Sequence, residues 1–158
     1  MKILLTLTLT LTLTLFVFGF FLSHSNTINL VVLNELRSIV REYATSQNKK
    51  SISIHISNVG KVGVKNDYEE EIYNTMKKNN IYGISYSNEN NESISYMLDF
   101  FFGNNKYYIY SSDGYTEDLQ VISINDFIDK FRLEQKEQYF SVCEKLDQKN
   151  WFYCENNH

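Results

Sequence analysis

The chain has 158 residues, a net charge of −4, two cysteines and no proline. An acidic chain whose cations are scattered lacks the basic patch that nucleic acid demands, so direct nucleic-acid binding is not expected. The absence of proline excludes proline-rich docking motifs and leaves Asn, Ser and Gly to make the turns.

Residues 3–22, ILLTLTLTLTLTLFVFGFFL, hold no charge, and Leu and Thr alternate from Leu5 to Leu15. The alternation has the period of a half-buried strand. Length decides otherwise: as a helix the segment rises about 30 Å, the thickness of a bilayer's hydrocarbon core. A lone strand in lipid leaves its backbone groups unpartnered, whereas a helix satisfies them internally and lets each Thr hydroxyl bond back to a carbonyl one turn earlier. The segment is therefore read as a single transmembrane helix. Lys2 and the α-amino group are the only cations before it, and the next ionisable group after His24 is Glu35. This bias predicts a cytoplasmic N-terminus and an inner-membrane protein whose remainder, 27–158, is periplasmic. No Ala-x-Ala follows the span, which favours an uncleaved anchor. Ser23-His24-Ser25 is the small-x-small alternative for cleavage.

The exported part is long enough for one small domain. Residues 27–44 place Leu33, Leu36, Ile39, Val40 and Tyr43 on a helical stripe, with Glu35, Arg37, Arg41 and Glu42 opposite. Ser51 to Ser57 alternates Ile52, Ile54 and Ile56 against Ser51, Ser53 and His55, which predicts a strand, and Lys61 to Lys65 reads as a second. Asp67 is the expected cap of a helix with Glu69 to Glu71 in its first turn and Lys77-Lys78 in its last, both suited to the macrodipole. A meander follows: Ile81 to Ser87, Ser93 to Phe102 and Lys106 to Ser111. Leu119 to Ile124 forms a further short strand, and Asn125 caps a helix with Phe127, Ile128 and Phe131 inward. Strands and helices without regular βα alternation make this an α+β domain, a mainly antiparallel sheet flanked by helices.

The cysteines fall in VCEKLDQKNWFYC. If Asp147 to Asn150 closes a hairpin, Cys143 stands opposite Cys154, and an oxidising compartment joins them. The rival reading, a catalytic cysteine, needs a His and a third group, and the structural staple is preferred to it.

No Gly-rich phosphate loop, nucleophile elbow or His-Glu-x-x-His occurs. Ser46 to Lys49 has a Ser-x-x-Lys spacing without a second motif. The three histidines, His24, His55 and His158, form no ligand cluster, and Asp113 and Glu117 read as turn and surface acids. An enzyme, a metal site and a cofactor are therefore not expected. His55, on the outward face of its strand, is a candidate pH sensor. Twelve Tyr and eleven Phe remain to be explained. The meander carries bulk on both faces of its strands, so unless helices cover both, Tyr82, Tyr86, Phe101, Tyr108 and Tyr110 form a candidate partner-binding surface.

A short charged start, an uncleaved hydrophobic segment at 3–22, a small exported α+β domain and the late pair Cys143 and Cys154 resemble the accessory partners of membrane-bound transcription activators. ToxS, TcpH and VtrC are of that kind, and the layout is most similar to the PsaF/MyfF proteins that accompany fibrillar adhesin genes. The resemblance covers the whole chain as architecture and rests on no specific motif. It implies an inner-membrane-anchored protein that binds and stabilises or activates a membrane-bound activator, with a small hydrophobic ligand as a conceivable signal. The alternative is a periplasmic immunity or inhibitor protein that neutralises a toxin or hydrolase. A deep apolar cavity would favour the first and a protruding acidic loop the second.

Overall fold

The computed structural model describes residues 28–57, 66–98, 104–134 and 139–157. The chain divides into two units, 1–30 and 31–158, and the architecture below is that of the second. The transmembrane helix expected at 3–22 and the strand expected at Lys61 to Lys65 lie outside the described residues. Among those described, no helix is long and apolar enough to cross a membrane.

Helix α1, Leu30–Ser46, buries Leu33, Leu36, Val40 and Ala44, the spacing of one helical face. Strand β1, Ser51–His55, follows. Helix α2 spans Asp67–Lys78, and its N-cap is Asn66, one residue before the expected Asp67; the Asn66 side chain accepts from the Glu69 N–H at 3.0 Å. Asp67 joins Glu69 and Glu70 in the first turn, with Lys77 and Lys78 in the last. Strands β2 (Ile81–Ser87), β3 (Ser93–Leu98) and β4 (Asn104–Ser111) form the meander. Strand β5, Leu119–Val121, leads into helix α3, Ile124–Leu133, which Ser123 caps rather than Asn125. Strands β6, Phe140–Lys145, and β7, Trp151–Asn157, make the closing hairpin. In a chain without proline, asparagine takes the left-handed positions: Asn48 (φ 52°), Asn80 (φ 54°) and Asn150 (φ 69°) stand just past α1, past α2 and in the β6–β7 turn, where its short polar side chain tolerates positive φ.

The seven strands form one sheet in the order β1-β2-β3-β4-β7-β6-β5. Every pairing is antiparallel except β5 with β6, which α3 connects as a parallel crossover. The domain is thus α+β with a mostly antiparallel sheet, as the pattern implied.

Register assigns the faces. Ile84 pairs with Tyr96, Tyr96 with Tyr108 and Tyr108 with Tyr153; Tyr86 pairs with Ile94, Ile94 with Tyr110 and Tyr110 with Trp151. These side chains share one face, and the three described helices lie on it. The Tyr96 hydroxyl donates to the Leu33 carbonyl of α1 at 2.9 Å. The Tyr43 hydroxyl of α1 donates to Glu69 of α2 at 2.6 Å; burial first, then this bond, pushes the Tyr43 phenol up to about 12. On α3, Phe127 and Phe131 pack edge-on against Phe140 of β6, and the Ile124 N–H donates to Glu144.

One polar contact pins α1 in register. Arg37 makes two hydrogen bonds to Glu92, at 2.9 and 2.6 Å, and its guanidinium lies 3.5 Å from the Tyr110 ring centroid. Charge-assisted pairs and a cation over an aromatic face are each worth more when partly desolvated. Replacing Arg37 by Ala is expected to cost about 2 kcal/mol in a urea denaturation, whereas Arg41→Ala, on the exposed side of the same helix, stays within about 0.5 kcal/mol. Equal effects would mean that the pin is not formed.

Candidate functional site

The sheet's other face carries none of the described helices. Its floor is serine. Ser51 pairs with Ser87, Ser87 with Ser93, and Ser93 with Ser111, so four hydroxyls cross four strands in one row. A second row runs Ser53, Ser85 and Ser95 and ends at Ile109. Strand spacing and the two-residue repeat put these groups on a grid of about 5 by 7 Å.

At the C-terminal half of the same face lies a second small core. Cys143, Phe152 and Cys154 are fully buried, with Tyr107 and Ile109 packed against them. What covers them is the link between β4 and β5. These strands are separated by β7 and β6, so residues 112–118 must cross the sheet, and Asp118 shows on which side they do so. Its carboxylate accepts from the Tyr107 hydroxyl at 3.1 Å, and Tyr107 also shares a 2.9 Å hydrogen bond with Ser141. Burial first, and the adjacent Asp118 charge, raise the Tyr107 phenol above its ordinary range. Asp118 Oδ2 lies 3.7 Å from Cys143 Sγ, a contact only, since a disulfide sulfur carries no proton. Cys143 and Cys154 are bonded, with Cα atoms 4.1 Å apart. The expected pairing is therefore present, at the closer of the two cross-strand spacings. Asp118, Cys143 and Cys154 also converge as potential metal ligands, and the disulfide withdraws both sulfurs from that role.

Between the crossing link, the β2–β3 turn and the serine floor is a cleft of about 460 Å³. Its floor holds Ser85, Ser87, Ser93, Ser95 and Ser111; its rim holds Glu89, Asn90, Asn91, Asp113, Glu117 and Asp118, with Tyr115 at the lip. Among the described residues, none that lines it is Lys, Arg or His. Asp113 fixes the link's first turn. It accepts from the Ser111 hydroxyl at 2.5 Å, the Tyr115 N–H at 3.1 Å and the Asn91 amide at 2.9 Å, and Gly114 follows at φ 71°, a conformation that favours glycine.

These donors, the Ser111 hydroxyl foremost, hold the Asp113 carboxyl below the ordinary carboxylate range. Because the folded value lies below the unfolded one, the contribution is present above the ordinary range and lost as pH falls through the lowered value. The Tyr115 amide resonance is therefore expected to move between about pH 5 and pH 2 as its acceptor protonates. An amide shift that stays flat over that window would show that the turn does not depend on Asp113.

The aromatic residues expected to form a partner surface are not brought together. Tyr86 and Tyr108 are only 2% and 6% exposed; they stand on the helix-covered face, so neither can meet a partner. Tyr110 is half-buried beneath Arg37. Tyr82 is 41% exposed, set apart from Tyr86 by a bulge between Ile81 and Gly83. Phe101 lies outside the described residues. His55 stands at the border of the serine rows, half-buried rather than fully outward, with its Nε2 3.2 Å from the Ser53 hydroxyl. Its ring covers Gly83, where a Cβ would come within 2.9 Å of Nδ1, so a larger residue there would have to displace the imidazole. Large apolar side chains are exposed elsewhere, in the β5–α3–β6 segment: Leu119, Ile122, Leu133 and Tyr139, with Ile122 99% exposed.

The serine floor was not singled out from the sequence, although its signal is there: SISIH, ISYS and SISY each put Ser at every second position. The cleft's lining mixes serine, asparagine and acidic side chains with Ile94, Ile109 and Tyr115, so it is not the deep apolar cavity that would suit the small hydrophobic ligand implied by the resemblance. No family model, curated protein or solved structure matches this chain.

Proposed function

We propose that this chain is an exported binding domain, held at the inner membrane by its 3–22 segment, that stabilises or activates a membrane-bound transcription activator and so promotes expression of fibrillar adhesin genes. The observation that carries the binding reading is the division of the sheet: one face is sealed by helices, and the other presents a roomy polar cleft. A cleft of this volume falls within the ordinary range for ligand sites. The disulfide fits an oxidising compartment outside the cytoplasm. The exposed apolar residues of the β5–α3–β6 segment, Ile122 above all, supply the kind of surface a protein partner covers.

One observation favours the inhibitor reading. The link from Asp113 to Asp118 puts acidic side chains along the rim of the open face, which suits a basic toxin. Deleting the protein separates the two. The regulator reading expects the half-life of a co-expressed membrane activator to fall several-fold, and Ile122→Asp to reproduce that fall with this protein's own abundance unchanged. An unaltered activator, together with growth arrest when a neighbouring toxin is exported, would replace the first reading by the second.

A further inference from the structure

From the lining of the open-face cleft, we infer that it is a site for a neutral saccharide, seated on the serine floor with one ring face against Tyr115. This rests on the reading of the cleft as a binding site and adds the class of ligand.

The lining selects by exclusion first. With acidic groups at the rim and no cation among the described residues that line the cleft, phosphates, carboxylates and nucleic acid are repelled. The floor is dense in hydroxyls, with Ile94 and Ile109 as the aliphatic residues among its lining, so a lipid or steroid would have to desolvate the serines in order to enter. What matches is a ligand that is itself dense in hydroxyls. A serine hydroxyl donates once and accepts twice, an asparagine amide does both, and a carboxylate accepts. Ser111 and Asn91 already donate to Asp113, so Ser85, Ser87, Ser93 and Ser95 on the floor, Asn90 on one wall and the acids on the rim are the groups that answer sugar hydroxyls of either polarity. Serines of one row stand about 5 Å apart on adjacent strands, and the two rows lie about 7 Å apart along them, so a saccharide lying across the floor can meet both rows.

The lip completes the match. Tyr115 is 61% exposed, and the turn that presents it is fixed by Asp113 and its donors from Ser111 and Asn91. An exposed aromatic side chain among the residues lining a hydroxyl floor suits the amphipathic face of a pyranose, whose axial C–H groups are apolar while its rim is polar.

The test uses the full chain in a detergent without sugar headgroups. Chitotriose and maltotriose are titrated as neutral probes, a trimer of galacturonic acid as the anionic control and spermidine as the cationic one, with binding read by calorimetry and by the Tyr115 amide resonance. A neutral trimer is expected to bind with Kd of about 1 mM or tighter, the uronate at least tenfold more weakly. Ser85→Val and Tyr115→Ala are exposed positions and are expected to weaken binding at least tenfold with unchanged denaturation midpoints, while Ser95→Thr, which keeps the hydroxyl, retains it. The inference is overturned if no neutral trimer binds, if binding ignores both variants, or if spermidine alone binds, which would leave only the charge of the rim. Failure here would leave the activator's half-life after deletion unaltered as a test of the wider reading.

Discussion

Replacing Trp151 by Ala is expected to remove about 4 kcal/mol of stability, the upper range for loss of a buried aromatic. Trp151 is 1% exposed on β7, stacked on Tyr96 at 6.1 Å and edge-on to Tyr110 at 5.6 Å. Tyr96 in turn holds α1 through the Leu33 carbonyl, and Tyr110 lies under Arg37. The indole therefore supports the surface on which α1 rests. A cavity there cannot collapse easily, because strands on both sides fix its walls. Against the roughly 5–15 kcal/mol that holds a domain of this size together, the variant is expected to be largely unfolded at body temperature. A urea midpoint reduced by no more than Trp151→Phe would show that the indole lies outside the core.

The second large effect belongs to the disulfide. Cys143 and Cys154 close a loop of sequence separation 11, for which chain entropy predicts about 3 kcal/mol. Both residues are fully buried in the small core beneath the 112–118 link. The double substitution to Ala is accordingly expected to lose about 3 kcal/mol and to loosen Asp118, which packs against Cys143. The wild-type bond should resist reductant until denaturant opens the link. Rapid reduction of the native protein, or a double variant as stable as the wild type, would remove the disulfide from the account.

What the sequence disclosed was local. The α1 stripe reads directly as Leu33, Leu36 and Val40, and VCEKLDQKNWFYC contains its own register, because a short hairpin leaves little freedom in which residues face each other. The cap positions slipped by one or two residues, since Asn66 and Ser123 are as good as the expected Asp67 and Asn125. The candidate aromatic residues are divided between environments for a different reason. Alternation within β2 puts Tyr82, Ile84 and Tyr86 on one side, and the bulge after Ile81 separates Tyr82 from the other two; a one-residue shift exchanges faces. Tyr108 and Tyr110 belong with Tyr96 and Ile94 only because of how β3 and β4 align. The serine rows are likewise visible strand by strand, yet become a surface only when four strands register. The crossing of 112–118 and the parallel β5–β6 pair depend on contacts between segments distant in the chain, which no local pattern encodes.

The account stands on the serine face being open and ordered, and thiol labelling measures that directly. Single variants Ser53→Cys, Ser85→Cys and Ile84→Cys are treated with a maleimide in native buffer, with the Cys143–Cys154 disulfide intact. The account expects positions 53 and 85 to react as freely as an exposed thiol, while position 84, on the helix-covered face, reacts only as fast as the domain unfolds. Protection of 53 and 85 equal to that of 84 would show the serine face to be covered, and would contradict the site proposed on it.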